Sequence, residues 1–405
     1  SATTRLFLSG CASLAATTIA FSLQSLGLSR PLVIIGGGGF NRLKDMLHAA
    51  LKKLSPPFNL EGGYNVVSVR GEPELAQANK IAQVARALNC DCVLAVGGGS
   101  VLDMGKCVGA LATNYDYDAL DYLEVVGKGR ALEHPLLPVI AVPTTSGTGS
   151  EVTKNGVLKS PCHKRKVSLR SNGMLPKVAI IDPLLTLSCP PSVTAHVGMD
   201  TLCQCLEPFL SNAPSPITDC LSRDGIIRAS RSLRAAVLDG GDVQAREDMA
   251  VASMMGGLSL ANSRLGTVHG IAGVLGGRYE DTPHGALCAS LLPYVFEANI
   301  QKLQQMSSSS QDNDELHNVQ EKLSRFVEAS KLMTNSPRAD IQDGIVYLHA
   351  LLRDLEIPPL GELCKGMNQE HFDEIADHSL EASSTKGNCV VLSKEEIIVV
   401  LKKAF

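Results

Sequence analysis

The sequence lacks an excess of charge of either sign. Charged residues make up 19% of its 405 residues, and the formal net charge is −4 at pH 7. Nucleic-acid binders need clustered Lys and Arg for phosphate contacts, and the tightest basic run, His163–Lys166, is too short to supply them. We therefore expect no nucleic-acid partner.

Cysteine pairs at the CxxC spacing are absent too. The twelve cysteines are spread between Cys11 and Cys389, and the tight pairs Cys90/Cys92 and Cys203/Cys205 have one residue between them. Disulfide frameworks and thiolate zinc sites in proteins usually show denser or regular spacings. We expect mostly buried free thiols in a reducing compartment, the cytoplasm or an organellar matrix.

Long hydrophobic runs are rare, with one exception near the start. The stretch Leu6–Leu28 is uncharged and fairly apolar, so a signal peptide and a membrane span are both alternatives. Polar residues are scattered through it, and the strand-like Pro31–Ile35 follows directly. These features favour a helix that covers the first strand, and we expect no membrane association.

Short β-branched runs alternate with helical patterns in the first half, which is typical of a parallel sheet with helical crossovers. A helix is predicted over Glu74–Leu88. The predicted strands are Leu32–Ile35, Asn65–Val69, Cys92–Val96, Leu136–Val142 and Val178–Ile181.

Strand-like runs nearly vanish after Asp182–Pro183, and helical stretches replace them. Val243–Asn262 is a predicted helix with Asp242 as its N-cap. The polar stretch Ser307–Glu315 is predicted to be a surface loop. A chain of this length favours two domains, here an α/β domain over 1–183 and a helical domain over 184–405. A cleft between two domains is a usual place for a ligand.

Two loops rich in glycine and hydroxyl groups follow predicted strands. Gly97–Ser100 opens a helix, with Ser100 as a possible N-cap and Asp103 placed as in a capping box. Alone, this loop is equally well a plain strand-to-helix turn or a phosphate site. Pro143–Glu151 adds many hydroxyls in nine residues, which favours a nucleotide at the carboxyl ends of neighbouring strands.

These loops resemble the signatures of the iron-containing alcohol dehydrogenase family. The resemblance rests on two motifs, GGGSVLDMGK at Gly97–Lys106 and PTTSGTGSEVT at Pro143–Thr153. Three shorter matching segments follow in order, Ala179–Pro183, Val197–Asp200 and Pro283–Gly285. The resemblance covers the whole chain and implies a dehydroquinate-synthase-like architecture. A Rossmann-like dinucleotide-binding domain would precede an all-helical metal and substrate domain, in a homodimer. The implied activity is hydride transfer between a nicotinamide cofactor and a small alcohol or carbonyl compound.

The resemblance also implies a set of cofactor-binding residues. Lys166 would lie near the cofactor, and the alternative is that it is one more base in an exposed run. The implied set is Gly36, Gly97, Gly98, Gly99, Ser100, Asp103, Thr144, Thr145, Thr148 and Lys166. The family commonly has an acidic residue after its first strand, where this chain has Gly36–Gly39 with Arg42 and Lys44 nearby. Nothing there would repel a 2′-phosphate, so NADP is permitted and slightly favoured over NAD.

The implied metal site departs from the family pattern of one Asp and three His. The matching residues are Asp200, Gln204, His269 and His284, and a further family histidine is replaced by Gly273. An amide is a weaker ligand than imidazole for zinc or ferrous iron, so we expect a divalent metal to bind more weakly than in typical members. Without a metal, His269 or His284 could donate the proton instead, as catalytic residues.

Other functions remain open at this stage. Maleylacetate reductases resemble the chain in their glycine-rich loop and commonly act without metal, which makes a metal-independent oxoacid reductase the closest alternative. A nucleotide-binding protein that has lost its chemistry would share the same loops. A lyase like the dehydroquinate synthases is disfavoured by the loop signatures.

Overall fold

The computed structural model describes residues 4–8, 14–52, 54, 65–124, 126–163 and 165–405. The chain forms two units, Ser1–Cys189 and Pro190–Phe405. The first unit is α/β and the second is helical, as the sequence predicts for the fold class.

The first unit has eight strands among its described residues: β1 (Arg5–Leu8), β2 (Pro31–Gly36), β3 (Val66–Val69), β4 (Cys92–Gly97), β5 (Val139–Pro143), β6 (Asn155–Ser160), β7 (Arg165–Arg170) and β8 (Val178–Ile181). Its helices are α1 (Leu14–Ser25), α2 (Phe40–Leu51), α3 (Leu75–Ala87) and α4 (Gly99–Leu111). Six strands form a parallel sheet in the order β1-β8-β5-β4-β2-β3, and β6 pairs antiparallel with β7. The predicted strands and the predicted helix are all confirmed.

Alternate residues of the central strands face opposite sides of the sheet, since the side-chain period of a strand is two. Val33 and Ile35 pack in one cluster with apolar residues of α1 and α2. Leu32 and Ile34 pack in another cluster with residues of α3 and α4. Both faces are therefore covered by helices, which leaves the carboxyl ends of the strands as the place for a ligand.

The first apolar stretch contains both a strand and a helix. The helix predicted over Leu6–Leu28 is confirmed for α1, whereas Arg5–Leu8 pairs with β8 as an edge strand. That part of the prediction is wrong, because a short apolar run cannot be assigned to helix or strand by periodicity alone. Residues 9–13 of the stretch lie outside the described residues. None of the described helices is long and apolar enough to cross a membrane.

The hairpin of β6 and β7 was not predicted from the sequence. It packs on α4 so closely that a β-carbon at Gly156 would lie 2.5 Å from Cys107 Sγ and 2.9 Å from the carbonyl oxygen of Asp103. Glycine at this position therefore permits the contact. The hairpin also carries Lys166.

The second unit has ten α-helices: α5 (Pro191–Leu210), α6 (Pro216–Leu238), α7 (Val243–Asn262), α8 (Thr267–Arg278), α9 (His284–Ser309), α10 (Asn313–Thr334), α11 (Ile341–Asp354), α12 (Leu360–Leu363), α13 (Phe372–Glu381) and α14 (Lys394–Ala404). They share one core cluster, to which α5, α8 and α9 contribute many fully buried side chains. The predicted cap of α7 is confirmed, since the Asp242 side chain accepts from the N–H of Ala245.

The surface loop predicted between helices at Ser307–Glu315 is confirmed only for residues 310–312, and its predicted bounds are wrong. Helix α9 continues to Ser309, and α10 begins at Asn313. The hydroxyls of Ser308 and Ser309 donate to the carbonyls of Gln304 and Gln305, 2.9 and 3.0 Å away. Such bonds to the preceding turn keep serine compatible with a helix.

Candidate functional site

The two glycine-rich loops leave the same edge of the sheet. Strands β4 and β5 are parallel neighbours, with Gly97 in register with Pro143. The N–H of Thr144 donates to the carbonyl oxygen of Gly97 over 2.9 Å. The structure therefore brings together the two loops that the sequence analysis assigned to the cofactor.

Glycines in the first loop allow it to contact threonines of the second. A β-carbon at Gly98 would lie 3.2 Å from Thr145 Oγ1, and one at Gly99 would lie 2.6 Å from Thr148 Oγ1. Larger residues would push the loops apart. The glycines thus place backbone N–H groups and threonine hydroxyls side by side, as a polyanionic ligand requires.

Helix α4 begins without the cap predicted for it. Its N-cap is Gly98, which has no side chain to bond the first N–H groups, and Ser100 lies inside the first turn. The predicted Ser100–Asp103 capping box is therefore wrong. The Asp103 carboxylate is engaged elsewhere, because it accepts from Ser150 Oγ and, over 2.9 Å, from the N–H of Val157. The start of α4 keeps N–H groups that an anion can use.

Lys106, the last residue of the GGGSVLDMGK motif, is buried beneath the second loop. Its ammonium group lies 2.9 Å from the Ser150 carbonyl oxygen, 3.0 Å from Thr153 Oγ1 and 3.0 Å from Asp103 Oδ1. Three acceptors match the three N–H donors of a lysine. This network ties α4 to the far end of the loop. Beside it, burial raises the pKa of Glu151 to about 7.

Lys166 lies on β7, with its amine 3.3 Å from Glu72 Oε1 and its side chain 7% exposed. The pair is close to the carboxyl end of β3, because Glu72 lies three residues beyond that strand. Lys166 is therefore an ion-paired, largely buried residue and not one more exposed base. Its contact with a cofactor stays a prediction.

The turn after β2, which includes Gly36, carries an arginine that the sequence analysis missed. A β-carbon at Gly37 would lie 2.1 Å from Arg70 Cγ, so the glycine makes room for this side chain. Arg70 follows β3 directly and is exposed. Arg42, which the sequence suggested here, instead donates to the Ser188 carbonyl and hydroxyl oxygens over 3.2 and 2.9 Å. A cation therefore stands next to the glycines that replace the expected acid.

In the second unit, three helices bring together a set of side chains that can bind a metal. The ligand atoms of Asp200 on α5, His269 on α8, and His284 and Cys288 on α9 all lie within 4.8 Å of one another. Asp200 Oδ1 and His269 Nε2 are 3.2 Å apart, yet neither atom has a hydrogen-bond partner. Buried polar atoms without partners are costly, and a divalent ion would satisfy both. The donor set fits a metal.

Gln204 lies one helical turn after Asp200 and contacts its carboxylate. Gln204 Nε2 donates to Asp200 Oδ2 over 2.9 Å. Only the amide nitrogen can donate to a carboxylate, so this contact fixes the orientation of the amide. Gln204 thus holds one Asp200 oxygen in place while the other stays without a hydrogen bond.

Glu207, two turns after Asp200 on α5, orients His269. Its Oε2 lies 2.6 Å from His269 Nδ1, and its Oε1 accepts from the N–H of Val268 over 2.7 Å. A carboxylate on Nδ1 favours the tautomer that leaves Nε2 available to a metal. The same side chain bonds a free N–H at the start of α8. A β-carbon at Gly266 would lie 2.8 Å from Glu207 Oε1, so a larger residue there would displace this carboxylate.

Burial and neighbouring groups shift the pKa values of Asp200 and Cys288 in opposite directions. Burial raises the pKa of Asp200, but His269 and His284 outweigh that effect and hold the pKa below its usual value. Burial raises the pKa of the Cys288 thiol to about 12.

The sequence analysis did not identify Cys288 or Glu207 as site residues, although their spacing from the expected ligands could have indicated both. Each lies at helical spacing from an expected ligand: Cys288 four residues after His284, and Glu207 seven residues after Asp200. Cys203 and Cys205, the nearer thiols in sequence, donate instead to the carbonyl oxygens of Cys288 and Ala252. A β-carbon at Gly273, where the family has a histidine, would meet no atom within 4 Å.

Comparisons with known proteins match both parts of the chain to one family. The family described as iron-containing alcohol dehydrogenase matches residues 11–183, and its C-terminal counterpart matches residues 194–405. Alcohol dehydrogenase 4 of Saccharomyces cerevisiae is 34% identical over 349 residues, 85% of each chain. The 1,3-propanediol dehydrogenase of Citrobacter freundii is 34% identical over 354 residues, which are 85% of this chain and 84% of the relative.

Solved structures show the same architecture. A 1,3-propanediol oxidoreductase aligns with a TM-score of 0.82 at 29% identity. The alignment covers 99% of this chain and 97% of the oxidoreductase chain. An iron-containing alcohol dehydrogenase from Thermococcus thioreducens aligns with a TM-score of 0.81 at 25% identity, over 99% and 98% of the two chains.

Proposed function

The chain belongs to the iron-containing alcohol dehydrogenase family, and from that premise we propose how its parts divide the reaction. It is an NAD(P)-dependent oxidoreductase that interconverts alcohols and aldehydes. Domain 1–183 binds the dinucleotide, and domain 184–405 holds a divalent metal and the substrate. The homodimer and the reducing compartment stay predictions.

Dinucleotide binding rests on the uncapped start of α4 together with the second loop. Gly97, Gly98, Gly99 and Ser100 offer backbone N–H groups to the pyrophosphate. Thr144, Thr145 and Thr148 offer hydroxyls to the rest of the nucleotide. Asp103 acts indirectly, because its carboxylate holds Ser150 and Val157.

Metal binding rests on a single observation: Asp200 Oδ1 and His269 Nε2 are buried, adjacent and without hydrogen bonds, in a cluster that also contains His284. Asp200, His269 and His284 would hold the ion, which would supply Lewis-acid polarisation of the substrate oxygen, while the nicotinamide would supply or accept the hydride. Gln204 and Glu207 act as positioning residues, since one holds Asp200 and the other holds His269. The fixed orientation of both ligands lowers the reorganisation needed for binding.

His269→Ala is expected to abolish metal binding and most of the activity. The variant removes one ligand and leaves Glu207 Oε2 without its imidazole partner. We expect metal content after dialysis against zinc or ferrous iron to fall to near zero. The value of kcat/KM for aldehyde reduction should fall at least about a hundredfold, as loss of several kcal/mol of polarisation implies.

The matched control for this variant is His349→Ala. His349 also pairs with a glutamate, Glu297, at 2.7 Å, but lies outside the cluster. It should keep metal and activity. If His269→Ala retains as much metal as the unmodified protein, the metal lies elsewhere. Activity that persists in chelator would favour the metal-independent, maleylacetate-reductase-like alternative.

For the cofactor we propose a preference for NADP(H). Two features support this preference. Residues Gly36–Gly39 include no acidic side chain, and the Arg70 side chain packs over Gly37. Glycine removes the repulsion of a 2′-phosphate, and arginine is suited to bind one. An exposed guanidinium beside the turn can do so without being desolvated first.

Arg70→Ala is expected to weaken NADPH binding about tenfold or more while leaving NADH binding nearly unchanged. A hydrogen bond to a charged group contributes about 1.5–3 kcal/mol, and 1.4 kcal/mol corresponds to tenfold. Calorimetric titration of both cofactors measures the difference. Arg42→Ala is the control, because its guanidinium bonds to Ser188. Equal weakening of NADH and NADPH by Arg70→Ala, or tenfold tighter binding of NADH to the unmodified protein, would contradict the preference.

A further inference from the structure

The metal cluster contains a thiol in addition to the expected ligands. Cys288 lies one turn after His284 on α9, and its side chain is fully buried. Its Sγ lies 3.6 Å from His284 Nε2. Residues four apart share a helix face, so both side chains face the same point.

Two distances within the cluster match those between ligands of one tetrahedral ion, and all four ligand atoms lie within 4.8 Å of one another. With zinc bonds of about 2.0–2.1 Å to N or O and about 2.3 Å to S, ligand atoms are separated by roughly 3.3 Å, or roughly 3.6 Å where one is sulfur. The observed separations are 3.2 Å between Asp200 Oδ1 and His269 Nε2 and 3.6 Å between Cys288 Sγ and His284 Nε2. The thiol is therefore placed as a ligand.

The same cluster explains how the chain tolerates Gln204. The family pattern has an imidazole there, but the Gln204 amide donates its hydrogen to Asp200. The amide oxygen, Gln204 Oε1, is buried without a hydrogen bond, but an amide oxygen is a weaker ligand than imidazole for zinc or ferrous iron. Losing the imidazole would leave three protein ligands, and Cys288 supplies a fourth from another helix.

We propose that Cys288 is a metal ligand, completing a set with Asp200, His269 and His284 that selects zinc over ferrous iron. The inference rests on the proposed metal site and adds the identity of its fourth ligand. On binding, the thiol releases its proton to solvent and a sulfur–metal bond forms. Thiolate is a soft donor, and a set of two imidazoles, one carboxylate and one thiolate suits zinc.

Cobalt(II) provides a spectroscopic test that does not depend on activity. Metal-free protein, prepared by dialysis against chelator, is titrated with cobalt(II) and its absorption recorded. Thiolate ligation gives an intense sulfur-to-cobalt charge-transfer band in the near ultraviolet, beside the visible ligand-field bands. We expect both in the unmodified protein. Visible bands without the charge-transfer band would overturn the assignment of Cys288 while leaving the metal site intact. No cobalt uptake at all would overturn the metal site itself.

Two variants sharpen the test. Cys288→Ser should lose the charge-transfer band and bind zinc at least roughly tenfold more weakly, the loss that removal of even an outer partner causes. Cys203→Ser is the matched control, since its thiol is also buried and donates to the Cys288 carbonyl oxygen. It should keep the band. A band that survives in Cys288→Ser, or disappears in Cys203→Ser alone, contradicts the proposal.

A double variant guards against a folding defect in Cys288→Ser. Gln204→His combined with Cys288→Ser restores the family's one Asp and three His at the same helical spacing. It should regain cobalt binding with visible bands only. If it binds cobalt no better than Cys288→Ser, the relation proposed between Gln204 and Cys288 is wrong.

Discussion

Gly98→Asp should abolish dinucleotide binding. The added carboxylate stands at the N-cap of α4, where Gly98 has no side chain to bond the first N–H groups. A second negative charge about 4 Å from a phosphate costs about 4 kcal/mol at an effective dielectric constant near 20, which weakens binding more than about a hundredfold. The new β-carbon also lies 3.2 Å from Thr145 Oγ1 and disturbs the second loop. Titration of NADPH fluorescence measures the loss.

Gly98→Ala separates charge from bulk. The backbone of Gly98 has φ −74°, which any residue adopts, so alanine adds no backbone strain. It should weaken binding far less than aspartate, through the threonine contact alone. Far-ultraviolet circular dichroism should show both variants folded. Unchanged cofactor affinity in a folded Gly98→Asp protein would mean that the pyrophosphate binds elsewhere.

Lys106→Met should destabilise the first unit by about 3–5 kcal/mol, the usual cost of breaking a buried ion pair. The methionine fills much of the volume but leaves the Asp103 carboxylate without its countercharge. The Ser150 carbonyl and the Thr153 hydroxyl lose a donor as well. Urea denaturation followed by circular dichroism measures the change in the free energy of unfolding.

Asp103→Asn in the Lys106→Met background provides the double-mutant test. It removes the uncompensated charge and should recover part of the loss, so the two effects should not add. A loss below about 1 kcal/mol in Lys106→Met would mean that the ammonium group contributes no more than a surface ion pair does.

The sequence predicts the sheet well because its central strands are continuous apolar runs. Cys92–Val96 and Val178–Ile181 are short apolar runs that are buried on both faces, which is the pattern typical of central parallel strands. The edge strand Arg5–Leu8 and the hairpin that carries Lys166 were missed. Both are half-exposed, and their pairing depends on distant partners rather than on their own pattern.

The site was predictable only where a motif carried it. The resemblance supplied Asp200, His269 and His284, which the structure brings together. It could not supply Cys288 or Glu207, because their relevance depends on how α5, α8 and α9 pack. The predicted Ser100–Asp103 capping box is wrong for a similar reason. The Asp103 carboxylate accepts a hydrogen bond from the distant Val157 N–H, and the N-cap of α4 is Gly98.

The network around Lys106 also has a consequence for the thermodynamics of cofactor binding. Its ammonium group fixes Ser150 and Thr153 at the far end of the second loop before any ligand arrives. Ordering a flexible loop would otherwise oppose association with a conformational entropy penalty. Here that ordering occurs when the protein folds. Binding of the dinucleotide therefore does not have to order this loop. The Lys106 network thus contributes both to the stability of the first unit and to its affinity for the dinucleotide.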